Sequence, residues 1–83
     1  NGNQFANSGS YKNAIDSYTT AIQRNSGLAV AFFNRGLAYG MLNQKENAIA
    51  DFSKALDLFK AQGESQKYQQ TQDILQRLTQ AAS

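Results

Sequence analysis

The sequence contains no cysteine and no histidine among its 83 residues. Without cysteine the chain has neither disulfides nor a thiol nucleophile, although this leaves its redox compartment open. Without histidine it lacks the usual general base near neutral pH and the commonest metal ligand. No phosphate-binding loop, dinucleotide-binding glycine pattern or calcium-binding loop is present either. We therefore predict that the protein is not an enzyme and that it binds no metal and no cofactor.

Charge is also sparse. Six acidic and eight basic residues are interspersed and give a net charge of +2, so nothing in the balance demands nucleic acid or an anionic membrane as a partner. Acidic residues that a catalytic pair would require, such as Asp51 and Asp57, are predicted to lie on solvated helix faces. The most apolar run, 28–42, has 15 residues and is interrupted by Asn34 and Arg35, whereas a membrane span needs roughly twenty. We predict no membrane insertion.

No signal peptide is visible, and the chain begins with Asn1 rather than methionine. We therefore expect it to be a piece of a longer protein, and the sequence leaves its compartment unknown.

The sequence does contain a pattern that occurs twice, 34 residues apart. Its members in the second copy are Gly36, Tyr39, Ala48, Ile49, Phe52 and Ala55, and those in the first copy are Gly2, Phe5, Ala14, Ile15, Tyr18 and Ala21. A period of this size is the signature of stacked helix-turn-helix repeats. The sequence therefore predicts an all-α fold of antiparallel helical pairs.

The stretch Ala29–Phe59 resembles the tetratricopeptide repeat, whose pattern is W-x2-L-G-x2-Y, then A-x3-F, then A, then P. Phe32 stands at the tryptophan position, whereas Arg35 replaces the leucine and Lys60 replaces the closing proline. The resemblance implies a short right-handed solenoid. We expect a single domain over 1–83, with a partial first repeat at 1–28, a complete repeat at 29–62 and a C-terminal capping helix at 63–83.

Five helices are expected, the first of them truncated. We place them at 1–8, Tyr11–Arg24, Leu28–Leu42, from just after Asn43 to about Ala61, and Glu64–Ala81. Their predicted boundaries are a turn at Gly9–Ser10 with Ser10 as N-cap, a left-handed Gly27, a capping box of Asn43 with Glu46, and a stop at Gln62–Gly63. For the last segment, which is rich in glutamine, a disordered tail is the rival interpretation. Gly36 and Gly40 are expected to let another helix approach closely.

The resemblance implies that the module binds peptide segments of partner proteins in a concave groove, lined by the first helices of successive pairs. The helical period predicts which residues line this groove: Asn3, Asn7, Val30, Phe33, Asn34, Leu37, Met41, Lys67 and Tyr68, with Thr71 beside them. For the four apolar residues, plain core packing is the alternative. Asn3 and Asn34 match two positions of the family's carboxylate clamp, but Glu64 and Tyr68 stand where the clamp needs bases. A groove of mixed apolar and amide character is therefore predicted.

Three alternatives stay open at this point. The first is a structural element that assembles into a homo-oligomer or exchanges helices, because the truncated first helix leaves part of an apolar face without a neighbour. The second is RNA binding, although the sequence lacks the basic groove that phosphate contacts require. Arg35 is expected to lay its stem along Tyr39 while its guanidinium reaches water or a carboxylate, and contact with an acidic partner is the alternative.

Overall fold

The computed structural model describes residues 8–81, which form four α-helices and no strand. They are α1 (Ser8–Arg24), α2 (Ala29–Met41), α3 (Lys45–Ala61) and α4 (Ser65–Ala81). Each helix packs chiefly against its neighbours in sequence, α1 on α2, α2 on α3 and α3 on α4. Turns of only three or four residues join them, which makes consecutive helices antiparallel. The predicted all-α architecture of helical pairs is confirmed at this level.

We predicted five helices, and the part of the chain that the structure describes has four. The predicted first helix falls almost wholly on residues 1–7, outside the described residues. The predicted turn at Gly9–Ser10 is wrong, because α1 begins at Ser8 and continues through both residues. Ser10 therefore lies inside the helix and is not its N-cap. One glycine costs a helix only about 1 kcal/mol, which the packing of the rest of α1 offsets.

The turn between α2 and α3 is built differently from the prediction. Asn43 has a φ of +64° and is the left-handed residue that follows α2, a conformation that asparagine adopts more readily than most residues. Gln44 occupies the N-cap position of α3 and makes no side-chain capping hydrogen bond. The predicted capping box of Asn43 and Glu46 is therefore wrong.

The two outer turns are tied to each other. Gly63 has a φ of +74° and ends α3 as predicted, but Gly27 does not have a positive φ. The Gly27 amide instead donates a hydrogen bond of 3.0 Å to the side-chain oxygen of Asn25. The side-chain amide of Gln62 donates to the Gly27 carbonyl oxygen at 2.8 Å, so the turn after α3 is fastened to the turn after α1.

The core lies between α2 and α3 and is closed on one side by α4. Phe52 is 2% exposed, and a Cβ atom added to Gly36 would lie 3.1 Å from its ring. The missing side chain at Gly36 is thus what lets α2 and α3 approach. Gly40 has nothing within 4 Å of such a Cβ atom, so the predicted close approach at Gly40 is wrong.

The glutamine-rich segment forms α4, as predicted, rather than a disordered tail. Thr71 on this helix is fully buried, and its hydroxyl donates a hydrogen bond of 2.7 Å to the carbonyl oxygen of Lys67. Tyr68 is half-buried and packs against the core cluster that contains Phe32 and Phe59. The packing of Tyr68 holds α4 against this core, whereas the Thr71 hydrogen bond lies within α4 itself.

A buried ion pair joins three helices. The Arg35 guanidinium on α2 donates two hydrogen bonds of 2.7 Å to the Asp51 carboxylate on α3 and a third, of 3.1 Å, to the Thr19 hydroxyl on α1. Its central carbon lies 5.6 Å from the ring centroid of Phe32 and 5.8 Å from that of Tyr39. The predicted placement of Arg35, along Tyr39 and toward a carboxylate, matches this geometry.

The same contacts correct the prediction for Asp51, which is 5% exposed and does not lie on a solvated face. The hydrogen bond with Asp51 raises the pKa of the Arg35 guanidinium above its usual value, against the opposing effect of burial. Arg35 is thus charged at neutral pH, and its charge is paired with the Asp51 carboxylate inside the molecule.

The Gly36 contact yields a stability prediction with a matched control on the same helix. Gly36→Leu is expected to destabilise the fold by about 1–3 kcal/mol, because the new side chain has no room beside the buried Phe52 ring. Gly40→Leu adds the same side chain where space is open and is expected to be neutral or to stabilise by up to about 1 kcal/mol through helix propensity. Urea denaturation followed by circular dichroism measures both, and equal stabilities of the two variants would contradict the packing described.

The ion pair yields a second stability prediction. Asp51→Ala is expected to destabilise the fold by about 3 kcal/mol, because it leaves the Arg35 guanidinium largely buried and unpaired. The double variant Arg35→Leu, Asp51→Leu is expected to recover most of this loss, since apolar residues can replace both partners of a buried pair. A double-mutant cycle that also includes Arg35→Leu alone and Asp51→Leu alone tests this, with free energies of unfolding from urea denaturation. Additive losses in the double variant would show that the pair is not coupled.

Candidate functional site

Helix α2 carries exposed apolar side chains on the side that faces away from α3. Val30 is 47% exposed, Leu37 44% and Met41 64%. Their spacing of seven and four residues places them along one side of the helix, whereas Phe32 and Gly36 on the other side are buried. Nothing among the described residues covers this apolar side fully, which is typical of a surface that meets another molecule.

A cleft of about 220 Å³ opens between α2 and α4, and we call it the α2–α4 cleft. It is lined by Val30, Phe33, Asn34, Phe59, Lys67 and Gln70. The structure therefore brings together four of the predicted groove residues from two helices that are 24 residues apart at their closest, from Met41 to Ser65. Phe59 and Gln70 were missed as groove residues.

The reasons for the two omissions differ. Gln70 lies three residues after Lys67 on the same side of α4, so the helical period contained the signal for it. Phe59 belongs to the apolar core side of α3 and is only 3% exposed. One edge of this buried ring still borders the cleft. No sequence pattern marks a residue that is buried in the core and also lines a cleft.

A second cleft, of about 190 Å³, lies between α1 and α2. We call it the α1–α2 cleft, and its lining consists of Tyr11, Ala14, Tyr18, Asn34, Leu37, Ala38 and Met41. Leu37 and Met41 therefore lie on a different depression from Val30 and Phe33, and Asn34 borders both. The single groove that we predicted is divided into two in the described part of the chain.

The remaining predicted groove residues lie elsewhere. Tyr68 borders a separate depression, near the turn after α3, together with Glu64 and Phe59, and it does not line the α2–α4 cleft. Thr71 is fully buried and is a core residue. Asn3 and Asn7 lie outside the described residues.

Phe33 has a structural role as well as a place at the cleft. Its ring meets the Phe52 ring edge-on at 5.4 Å between centroids and 71° between planes, and it meets the Phe59 ring at 6.3 Å and 63°. Edge-to-face pairs of this kind stabilise a core beyond the area that they bury. The core-packing alternative therefore applies to Phe33, whose outer side borders the cleft.

The electrostatics of the α2–α4 cleft are simple. Among the described residues that line it, Lys67 alone is charged, and its side chain is exposed. The structure records one ion pair over residues 8–81, between Arg35 and Asp51. Since Arg35 is neutralised by Asp51, Lys67 supplies the positive charge of this site.

The described residues offer little to other kinds of site. Between Ser8 and Ala81 no three histidine, cysteine, aspartate or glutamate side chains gather as metal ligands. Within the same span no helix combines the length and the apolar character that crossing a membrane requires.

The comparison with known families agrees with the geometry of α2 and α3. Residues 29–60 match the family model of the tetratricopeptide repeat. The chain contains a tetratricopeptide repeat. The matched residues cover α2 and nearly all of α3, the pair that packs Gly36 against Phe52. Such repeats are in general non-catalytic modules of protein–protein interaction.

A curated relative is also similar over most of the chain. Sperm-associated antigen 1 of Rattus norvegicus is 39% identical over 57 residues, which is 69% of this chain. The chain spans only 6% of the length of that protein. No solved structure matches the chain.

Proposed function

We propose that the α2–α4 cleft binds a peptide segment of a partner protein, so that the chain serves as a scaffold or adaptor. The observation that carries the proposal is the cleft of about 220 Å³ between two helices, with exposed apolar surface from Val30 at its edge. The match of residues 29–60 to the tetratricopeptide repeat, which in general serves protein–protein interaction, supports the same interpretation.

The chemistry of the lining suits a peptide. The rings of Phe33 and Phe59, together with Val30, offer an apolar surface on which a side chain of the partner can be desolvated. Asn34 and Gln70 each carry an amide, which both donates and accepts hydrogen bonds. A peptide backbone has the complementary N–H and C=O groups, so the two amides can hold an extended segment across the apolar surface.

The proposal is tested with peptides selected on the whole chain from a displayed random library. The double variant Val30→Asn, Asn34→Ala is expected to bind a selected peptide at least about tenfold more weakly, because it loses apolar contact and one backbone hydrogen bond. Fluorescence anisotropy of the labelled synthetic peptide measures the affinity, and circular dichroism checks that the variant is folded. Phe33→Ala is less suitable, since it also removes ring contacts in the core.

Met41→Asn is the matched control for this test. It replaces an exposed apolar side chain by the same asparagine on the same helix, but it lies outside the α2–α4 cleft. We expect it to leave peptide affinity unchanged. Because Asn34 borders both clefts, Met41→Asn decides between them: if it weakened binding, the binding site would be the α1–α2 cleft and the proposal would be wrong.

A second candidate function is self-assembly, which the α1–α2 cleft favours. Met41 and Leu37 are exposed there beside half-buried Tyr11 and Tyr18, and a second copy of the chain could cover these side chains. If this is so, sedimentation velocity at increasing concentration will show a dimer, and Leu37→Asn, Met41→Asn will return the chain to a monomer because the apolar contact is lost. A monomer at every concentration would rule this function out for the chain.

A further inference from the structure

We infer that the peptide recognised by the α2–α4 cleft carries an acidic side chain next to an apolar one. This inference rests on the proposed function and adds to it the chemical class of the partner segment. Two features of the cleft lining support it. Val30, Phe33 and Phe59 form an apolar surface, and Lys67 on the opposite wall carries an ammonium group.

The charge of the cleft is uncompensated among the described residues. Lys67 is exposed, the cleft has no acidic residue in its lining, and the ion pair recorded over residues 8–81 involves other side chains. Glu64, one helical turn earlier on the chain, borders the separate depression near Tyr68 and makes no ion pair with Lys67. The Lys67 ammonium is therefore available to a carboxylate that approaches from outside.

The position of this charge links it to the apolar surface. Lys67 and Val30 line the same small cleft from opposite helices. A side chain that enters between them lies against apolar atoms, and the neighbouring residue of the same peptide then passes the ammonium. Apolar burial supplies most of the affinity in such an arrangement, while the charge contributes selectivity and association rate.

The geometry points to an acidic side chain within a continuous peptide rather than to the carboxylate of a chain end. A carboxylate of either kind can pair with the one ammonium of the cleft, but a terminal carboxylate also ends the peptide backbone there. The α2–α4 cleft has two amides besides, those of Asn34 and Gln70. Amides that donate and accept are suited to a backbone that continues on both sides of the anchored side chain.

The test uses the whole chain and two libraries of random peptides. In the first library the peptides are displayed between two fixed segments, so that none has a free carboxyl end, and in the second each peptide ends in a free carboxylate. We expect the selected peptides to be enriched in aspartate or glutamate within one or two positions of an aliphatic or aromatic residue. One selected peptide is then synthesised with both ends blocked, and its affinity is measured by fluorescence anisotropy.

Charge reversal identifies the contact. Lys67→Glu is expected to weaken binding of this peptide about tenfold or more, because like charges then meet at the interface. A second peptide in which lysine replaces the acidic residue should bind Lys67→Glu better than it binds the unchanged chain. Lys54→Glu is the matched control, since it makes the same charge change at an exposed position of α3 outside both clefts, and it should change the affinity by less than about twofold.

The outcomes separate this inference from the proposed function. If selected peptides depend on Val30 and Asn34 but show no acidic preference, or if Lys67→Glu behaves like Lys54→Glu, the inference is overturned and the proposed function stands. If peptides bind only when they end in a free carboxylate within the cleft, the inference is overturned in favour of a chain end. If no peptide from either kind of library depends on Val30 and Asn34, the proposed function fails, and the inference fails with it.

Discussion

The close contact between Gly36 and the Phe52 ring is the constraint on which the rest of the structure depends. Because α2 has no side chain at this point, its backbone can lie against a fully buried aromatic ring of α3. That contact fixes which side of α2 faces the core. The opposite side, with Val30, Leu37 and Met41, is thereby directed outward, and the two clefts form on either flank of it. The surface that we propose as the binding site therefore follows from the packing of the opposite side of α2.

The ion pair of Arg35 and Asp51 complements this apolar contact and also shapes the electrostatics. A guanidinium bound by two hydrogen bonds to one carboxylate has a defined orientation, and its further bond to Thr19 links α1 to the α2–α3 pair. The arginine replaces the leucine typical of this position, so a polar network takes the place of an apolar contact between helices. Because the pair is neutral as a whole, it leaves the single charge of Lys67 to decide the electrostatic character of the α2–α4 cleft.

The helices and much of the core could be predicted from the sequence because both follow from periodic patterns. The helical period predicts α2, α3 and α4 close to their observed bounds, and the 34-residue repeat includes both Gly36 and Phe52 among its positions. What could not be predicted depends on tertiary contacts that no local pattern contains. The burial of Asp51 requires Arg35 from another helix, and the continuation of α1 through Gly9 requires packing that outweighs a weak local break. Of the predicted groove residues on α2, Val30, Leu37 and Met41 are exposed, yet only the relative placement of α1 and α4 divides them between two clefts.

The order of packing has a consequence for motion. Each helix rests chiefly on its sequence neighbours, so α4 is retained by α3 and has little direct hold on α2. A helix that rests on one neighbour opens at a lower free energy than a helix packed between two. A ligand bound between α2 and α4 would connect these helices directly, and the amide hydrogens of α4 would then exchange more slowly. The local stability of α4 would thus depend on whether the cleft is occupied.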